Sequence, residues 1–288
     1  MTEIGKLNTL RVVKELDFGI YLDGAELGEI LMPKRYVPEN CKIDDLVEVF
    51  IYLDSEDRII ATTQIPNAMV GQFAGMEVVS VNEVGAFLDW GLQKDLLVPF
   101  REQKVKMEEG KTYVVYVYFD TESNRIAASA KLDQFLDLEQ TEYDDGQEVD
   151  LIIYNQTDMG YKAIVNNINE GILYENEVFQ PLHKGQKIKG FIKKIRDDGK
   201  LDLCLQKPGY EKVDELSERI LSYLGKNEGF LNVTDKTPPD VISQMFNVSK
   251  KTFKKAVGAL YRKKVIKLET DGISLLDSNN PDKESGNI

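Results

Sequence analysis

The sequence has 288 residues, 42% of them hydrophobic and 30% charged, with a formal net charge of −13. That length suits two to four domains, each with a core of its own, rather than one small module. No run approaches the roughly 18 apolar residues of a membrane span, and the opening MTEIGKLNTL lacks an apolar signal core, so composition argues against a membrane or secreted protein.

The opening hairpin sets the plan of the units that follow. Thr9–Asp23 reads as a strand, a tight turn at Asp17–Gly19 and a second strand. Sliding the sequence by 66 positions lays Val12 and Val13 on Val78 and Val79, Gly19 on Gly85 and Tyr21 on Phe87. The same shift lays Leu22-Asp23 on Leu88-Asp89, Pro33 on Pro99, and Tyr52 and Asp54 on Tyr118 and Asp120. A glycine turn, a proline and an acid kept in one register mark an internal repeat. Within the first unit, strands are expected at Gly28–Pro33, Leu46–Asp54 and Arg58–Thr63 after the hairpin. Five strands with turns between them predict a small antiparallel barrel. The second unit repeats the plan at Met76–Val81, Gly85–Trp90, Asp95–Pro99, Thr112–Asp120 and Asn124–Ser129. A short helix over Lys131–Leu138 is expected to follow it. A third, more diverged unit has strands at Val149–Asn155, Tyr161–Val165, Gly171–Phe179, Lys187–Ile195 and Leu201–Gln206.

After Pro208 the apolar spacing becomes helical. Val213, Leu216, Ile220, Leu221 and Leu224 line one helix ending near Gly225. Thr237 is expected to cap a second, Pro238–Phe246, closed by Asn247, and Ser249 a third, Lys250–Lys264. Val265–Glu269 and Gly272–Asp277 form a hairpin around Asp271-Gly272. Three helices and a hairpin predict a winged helix. The expected architecture is mainly β: three tandem five-stranded OB-type barrels over 1–65, 66–140 and 141–208, then an α+β winged-helix domain over 209–277. A polar tail, 278–288, is expected to be disordered.

Charge is uneven. Lys+Arg minus Asp+Glu is −6 over 1–65, −5 over 66–140, −3 over 141–208 and +3 over 209–276. A polyanion is therefore expected to meet mainly the C-terminal half. On the third helix Lys250, Lys251, Lys254, Lys255 and Arg262 share the side away from Phe253, Ala256, Val257 and Leu260, and Lys263 and Lys264 extend the charge. Gly258 lies within that basic arc, where a close approach by a phosphate or another helix would account for it. Lysine favours phosphate contact over base reading. In the third unit, alternation places Lys187, Lys189, Phe191 and Lys193 on one strand face, a stacking ring among cations. The alternative is an ordinary solvated strand balanced by Asp197 and Asp198. In the first hairpin, Phe18 and Tyr21 flank Gly19, with Phe87 at Tyr21's place in the second unit. Leu22 and Leu88 take the core side, leaving those aromatics outward to stack bases.

Chemistry of turnover finds little material. His183 is the lone histidine, which leaves little for a His-built zinc site or a Ser-His-Asp triad. Cys41 and Cys204 are expected to be free thiols in a reducing cytoplasm. The turn acids Asp54, Asp57, Asp120 and Glu122 are expected to bond nearby backbone. No phosphate loop, zinc-ligand spacing or nucleophile motif occurs, so no cofactor, metal, small-molecule substrate or enzymatic activity is expected.

A strand with paired valines, an aromatic-glycine turn, an aromatic and then Leu-Asp resembles the S1-type RNA-binding domain. Three such units and a C-terminal winged helix resemble the bacterial conserved virulence factor B family, over about Ile4–Leu276. The resemblance implies a non-catalytic RNA-binding regulator. The expected partner is single-stranded RNA. A winged-helix DNA-binding transcription regulator and a ribosome-associated protein scaffold are the alternatives, the second accounting for the acidic first two units.

Overall fold

A computed structural model describes residues 1–137, 142–206, 211–234 and 236–276, with backbone only for 211–215. The expected tail 278–288 lies outside the described residues.

The first unit is a closed barrel of β1 (Leu7–Leu16), β2 (Gly19–Asp23), β3 (Glu29–Pro33), β4 (Leu46–Leu53) and β5 (Ile59–Thr62), in the order β1-β2-β3-β5-β4. Alternation decides which side each residue takes. Leu10, Val12, Ile20, Leu22, Ile30, Met32, Val49 and Ile51 fill the interior. Closure rests on a parallel contact of β3 with β5 registered at Leu31 and Ile60 alone.

The second unit has β6 (Phe73–Val81), β7 (Gly85–Leu88), β8 (Leu96–Pro99), β9 (Thr112–Asp120) and β10 (Arg125–Ser129). Their order is the same, but the sheet is open between β8 and β10. The helix expected after it is only a single 3-10 turn, Leu132–Gln134. Leu132 is buried there and Phe135 stacks on Tyr116 at 4.1 Å, so the apolar spacing reflects packing of an irregular segment onto β9.

The third unit closes again, with β11 (Glu148–Thr157), β12 (Gly160–Val165), β13 (Asn169–Tyr174), β14 (Lys187–Ile195) and β15 (Leu201–Cys204) in the order β11-β12-β13-β15-β14. The expected strand Gly171–Phe179 is shorter and shifted, because a 3-10 turn at Glu175–Glu177 ends it.

The C-terminal unit holds α1 (Glu211–Lys226), β16 (Phe230–Leu231), α2 (Pro239–Phe246), α3 (Lys250–Arg262), β17 (Ile266–Leu268) and β18 (Ile273–Leu275). The wing is a three-stranded sheet, β16-β18-β17, with β16 beyond the expected hairpin. Thr237 is not the cap of α2: Pro238 holds that position, and the Thr237 hydroxyl accepts from the Thr234 N–H at 2.9 Å. Two successive prolines fix the entry backbone and remove donors that a cap would satisfy. Asn247 does close α2, in the left-handed conformation at φ 53°.

The junctions differ in kind. Phe50 and Tyr52 of the first unit share one apolar cluster with Trp90, Leu96 and Val98 of the second. Phe73 and Val114 of the second share another with Ile152 and Ile164 of the third. Asn167 stitches that second junction, accepting from the Phe73 N–H at 2.6 Å and donating to the Gly71 carbonyl at 2.8 Å. Among the described residues the third barrel and the winged helix keep separate apolar clusters. They meet through Gln206 donating to the Asn247 carbonyl at 2.7 Å and Ser243 donating to the Phe179 carbonyl at 3.4 Å.

Candidate nucleic-acid interface

The repeated hairpin turn has one steric cause. A Cβ on Gly19 would lie 2.3 Å from the Met32 carbonyl oxygen, and on Gly85 2.3 Å from that of Val98. On Gly160 it would lie 2.1 Å from that of Leu173. The turn packs directly on the next strand, so only glycine fits. A bulge recurs as well, between Val12 and Lys14, Val78 and Ser80, and Ile153 and Asn155. A bulge re-aims the side chains around it. It leaves Lys14 opposite Tyr21, Ser80 opposite Phe87 and Asn155 opposite Lys162.

In the first barrel this geometry assembles a small platform. Leu22 is fully buried, Tyr21 is half-buried and Phe18 is 56% exposed. The Phe18 and Tyr21 rings meet edge to face at 6.4 Å, and the Lys14 ammonium stands 5.3 Å from the Tyr21 centroid. A cation over one ring, with a second, exposed ring packed against that one, is the composition that holds an unpaired base and its phosphate. Lys14 escaped the sequence reading. Its pairing with Tyr21 depends on the bulge, which plain alternation does not show.

Phe87 is placed differently. It lies half-buried in a cleft of about 450 Å³ at the open β8–β10 edge, walled on one side by Leu53, Ser55 and Asp57 of the first unit. Three cations line this cleft, each matched by a carboxylate: Arg101 with Asp120 at 3.5 Å, Arg125 with Asp57, and Lys94 with Asp57 at 3.7 Å. Asp95 lines the cleft too, so its three cations face three carboxylates and charge cancels there. Two of the turn acids bond backbone as expected, Asp54 accepting from the Glu56 and Arg58 N–H groups and Asp120 from that of Glu122. Asp57 and Glu122 pair with side chains instead, Asp57 with Arg125 and Lys94 and Glu122 with Arg101 at 3.7 Å, because the cations of the second unit reach them.

On β14, Lys187, Lys189 and Lys193 are exposed on one face with half-buried Phe191. Their balance does not come from Asp197 and Asp198. Lys189 pairs with Asp150 at 2.8 Å and Glu148 at 3.9 Å, and Lys193 with Glu177 at 2.5 Å, because β11 and the turn after β13 lie alongside. Asp198 instead pairs with Arg196 and Lys200 at 3.3 and 3.7 Å. Hydrogen bonds to Asp150 and Glu177 hold the Lys189 and Lys193 ammonium groups above the ordinary lysine range. The Lys193 ammonium also stands 5.9 Å from the ring centroid of Tyr174, whose hydroxyl donates to Asp202 at 3.1 Å. Burial, then Asp202, pushes the Tyr174 hydroxyl up, so it stays neutral. Tyr174 is a second residue that sequence reasoning missed. Exposed ion pairs contribute about 0–1 kcal/mol, so a phosphate can exchange with such carboxylates at little cost.

The third helix concentrates the unbalanced charge. The Ser249 hydroxyl caps it by accepting from the Thr252 N–H at 3.1 Å. Phe253, Ala256 and Leu260 are buried, while Lys251, Lys254, Lys255, Arg262, Lys263 and Lys264 are exposed and Lys250 half-exposed. Among the described residues, Lys250, Lys251, Lys255, Arg262 and Lys264 have no carboxylate within 4.0 Å. Arg262 bonds back to the Gly258 carbonyl at 3.2 Å. No neighbour in the fold explains Gly258: a Cβ there would meet nothing within 4 Å. Instead it opens a groove of about 290 Å³ between α3 and the wing, bordered by Val257, Tyr261, Leu268 and Ile273.

The structure thus gathers Phe18 with Tyr21, Lys187, Lys189 and Lys193 with Phe191, and the lysines of α3 among themselves. It sets Phe87 apart, in the charge-balanced cleft. Among the described residues no group of three or more His, Cys, Asp or Glu side chains could hold a metal ion, and no helix is long and apolar enough to cross a membrane.

The S1 domain family matches residues 4–64 and 70–131, and the CvfB-like winged helix domain matches 218–275. The third barrel has the same strand order as the first. Among curated relatives, a Bacillus subtilis protein described as uncharacterized protein YitL is 29% identical, with 90% of this chain and 89% of that one covered. Conserved virulence factor B of Staphylococcus haemolyticus is 28% identical, covering 78% of each. A solved Streptococcus pneumoniae structure, described as a multidomain protein with nucleic acid binding domains, is 25% identical at a TM-score of 0.45, covering 95% of this chain and 98% of that one. With tandem S1 barrels ahead of this type of winged helix, and relatives of that name along most of its length, the chain belongs to the conserved virulence factor B family.

Proposed function

We propose that this protein is a cytoplasmic, non-catalytic regulator that binds single-stranded RNA, in a chain organised as units 1–65, 66–140, 141–208 and 209–277. The third barrel and the winged helix grip phosphates, through Lys187, Lys189 and Lys193 beside Phe191 and through the α3 cations. Phe18 and Tyr21 of the first barrel stack unpaired bases. The observation that carries this reading is the arc of cations on α3, of which Lys250, Lys251, Lys255, Arg262 and Lys264 have no carboxylate within 4.0 Å among the described residues, in a chain whose net charge is −13. In so acidic a protein a local excess of positive charge is where a polyanion gains most. Lysine contacts are phosphate contacts, which suits an irregular single strand better than sequence reading in a duplex groove. Competition for the full-length protein between labelled single-stranded RNA and unlabelled duplex DNA tests it. RNA retained against excess duplex supports the reading. Displacement by duplex at equal concentration favours a DNA-binding regulator, and capture of ribosomal protein that survives nuclease favours a docking scaffold.

A further inference from the structure

The second and third barrels touch backbone to backbone. A Cβ on Gly75 would lie 2.3 Å from the Gly185 Cα, and one on Gly185 3.0 Å from the Gly75 Cα. Together with the Asn167 bridge, this close approach fixes the junction and leaves a preformed groove along it. Two adjoining cavities of about 260 and 240 Å³ make the groove, both bordered by Asn155 and Lys184. Tyr113, Leu132 and Lys104 wall the first, and Tyr161 and Leu182 the second.

Its chemistry is that of a nucleotide site. The Lys184 ammonium stands 5.4 Å from the Tyr113 ring centroid and, among the described residues, has no carboxylate within 4.0 Å. Lys104 pairs with Asp133 at 2.9 Å, but both side chains are about two-thirds exposed (67% and 65%), so the pair is weak and opens readily. Two lysines against one acid leave a positive groove between units that are each acidic overall. Asn155 occupies the register position held by Lys14 in the first barrel, beside the bulge. Its amide is exposed and, among the described residues, bonds nothing in the protein. An amide offers a donor and an acceptor side by side, which matches the edge of a base.

We propose that this groove binds one or two unpaired nucleotides of single-stranded RNA and carries the strand from the third barrel onto the second. Lys184 and Lys104 take the phosphates. A base lies against Leu132 and the Tyr113 edge with its own edge on Asn155. The inference rests on the RNA-binding reading and adds a site to it. An acidic peptide would meet the lysines and, through its backbone, the amide as well; the RNA salt series and the crosslinks below distinguish the two occupants.

The test uses full-length protein and a labelled 20-nucleotide single-stranded RNA, its affinity followed across a salt series. Lys104→Ala and Lys184→Ala are each expected to flatten the logarithmic salt slope by about 0.7. Asn155→Ala is expected to weaken binding about two- to tenfold without changing the slope. Photo-crosslinking with 4-thiouridine-substituted RNA is expected to mark peptides carrying Tyr113 and Tyr161. Wild-type slope and affinity in all three variants, with crosslinks confined to β14 and α3, would overturn the groove and leave the RNA-binding reading standing. An absence of RNA binding by the unaltered protein would overturn both.

Discussion

Phe50 sits in the first barrel's β4 yet packs outside that barrel's own core, in the cluster shared with the second unit. It is fully buried, meeting Trp90 edge to face at 5.5 Å and stacking on Tyr52 at 6.1 Å. Phe50→Ala removes a buried ring, a change that costs about 3–5 kcal/mol. About 0.5–1.5 kcal/mol of that belongs to a ring pair such as the one with Trp90. At about 2–4 °C per kcal/mol for a unit of this size, the midpoint should fall by roughly 6–20 °C. Trp90 is the lone tryptophan of the chain and belongs to the second unit, so its fluorescence reports across the junction. The expectation is one shared transition for the two barrels, with the Trp90 signal lowered by Phe50→Ala as far as the far-UV signal is. A Trp90 midpoint unchanged in the variant would show that Phe50 serves the first barrel alone and that the shared core does not couple the two.

Phe18→Ala and Tyr21→Ala should each weaken single-stranded RNA binding by about 1–3 kcal/mol, the worth of one stacked base, with the salt slope untouched; titration of labelled RNA checks this, and unaltered affinity would remove the platform. Asp57 ties the same two barrels together, and the Arg125 hydrogen bond, then Lys94, holds its carboxyl below the ordinary value of 3.8. A depressed carboxylate contributes stability that is complete above the unfolded value and is lost as pH falls through the folded one. Asp57→Asn should therefore lower stability at neutral pH and soften the acid loss below about pH 4, as read by denaturant melts from pH 7 to pH 3; an equally steep acid limb would contradict the assignment.

The barrels were legible because repetition and alternation are local signals. Gly19, Gly85 and Pro33 mark turns that a single strand of sequence displays, and Leu22 and Leu88 declare their inward side. What the sequence hid depends on contacts between distant segments. The bulge that pairs Lys14 with Tyr21 adds one residue to the strand, and no composition signal marks it. Phe87 lies in a cleft instead of on a free face because the first unit's turn walls the open β8–β10 edge. Asp197 and Asp198 are near Lys193 in sequence, yet Glu177 reaches it first because the barrel closes β13 onto β15 and β15 onto β14. Thr237 read as a cap because its residue type and spacing fit, but two prolines leave no free donor for it at the start of α2. The α3 arc was readable because helical periodicity is fixed and Ser249 announces where the helix begins.

The most direct measurement is the salt dependence of single-stranded RNA binding by the unaltered protein and by a Lys250→Gln, Lys251→Gln, Lys254→Gln, Lys255→Gln variant. Each lysine on a phosphate adds about 0.7 to the logarithmic slope, so the variant should lose up to about 3, roughly 50-fold less loss of affinity between 50 and 200 mM salt. A variant that folds, binds and keeps the original slope would take α3 out of the interface and contradict the proposed grip.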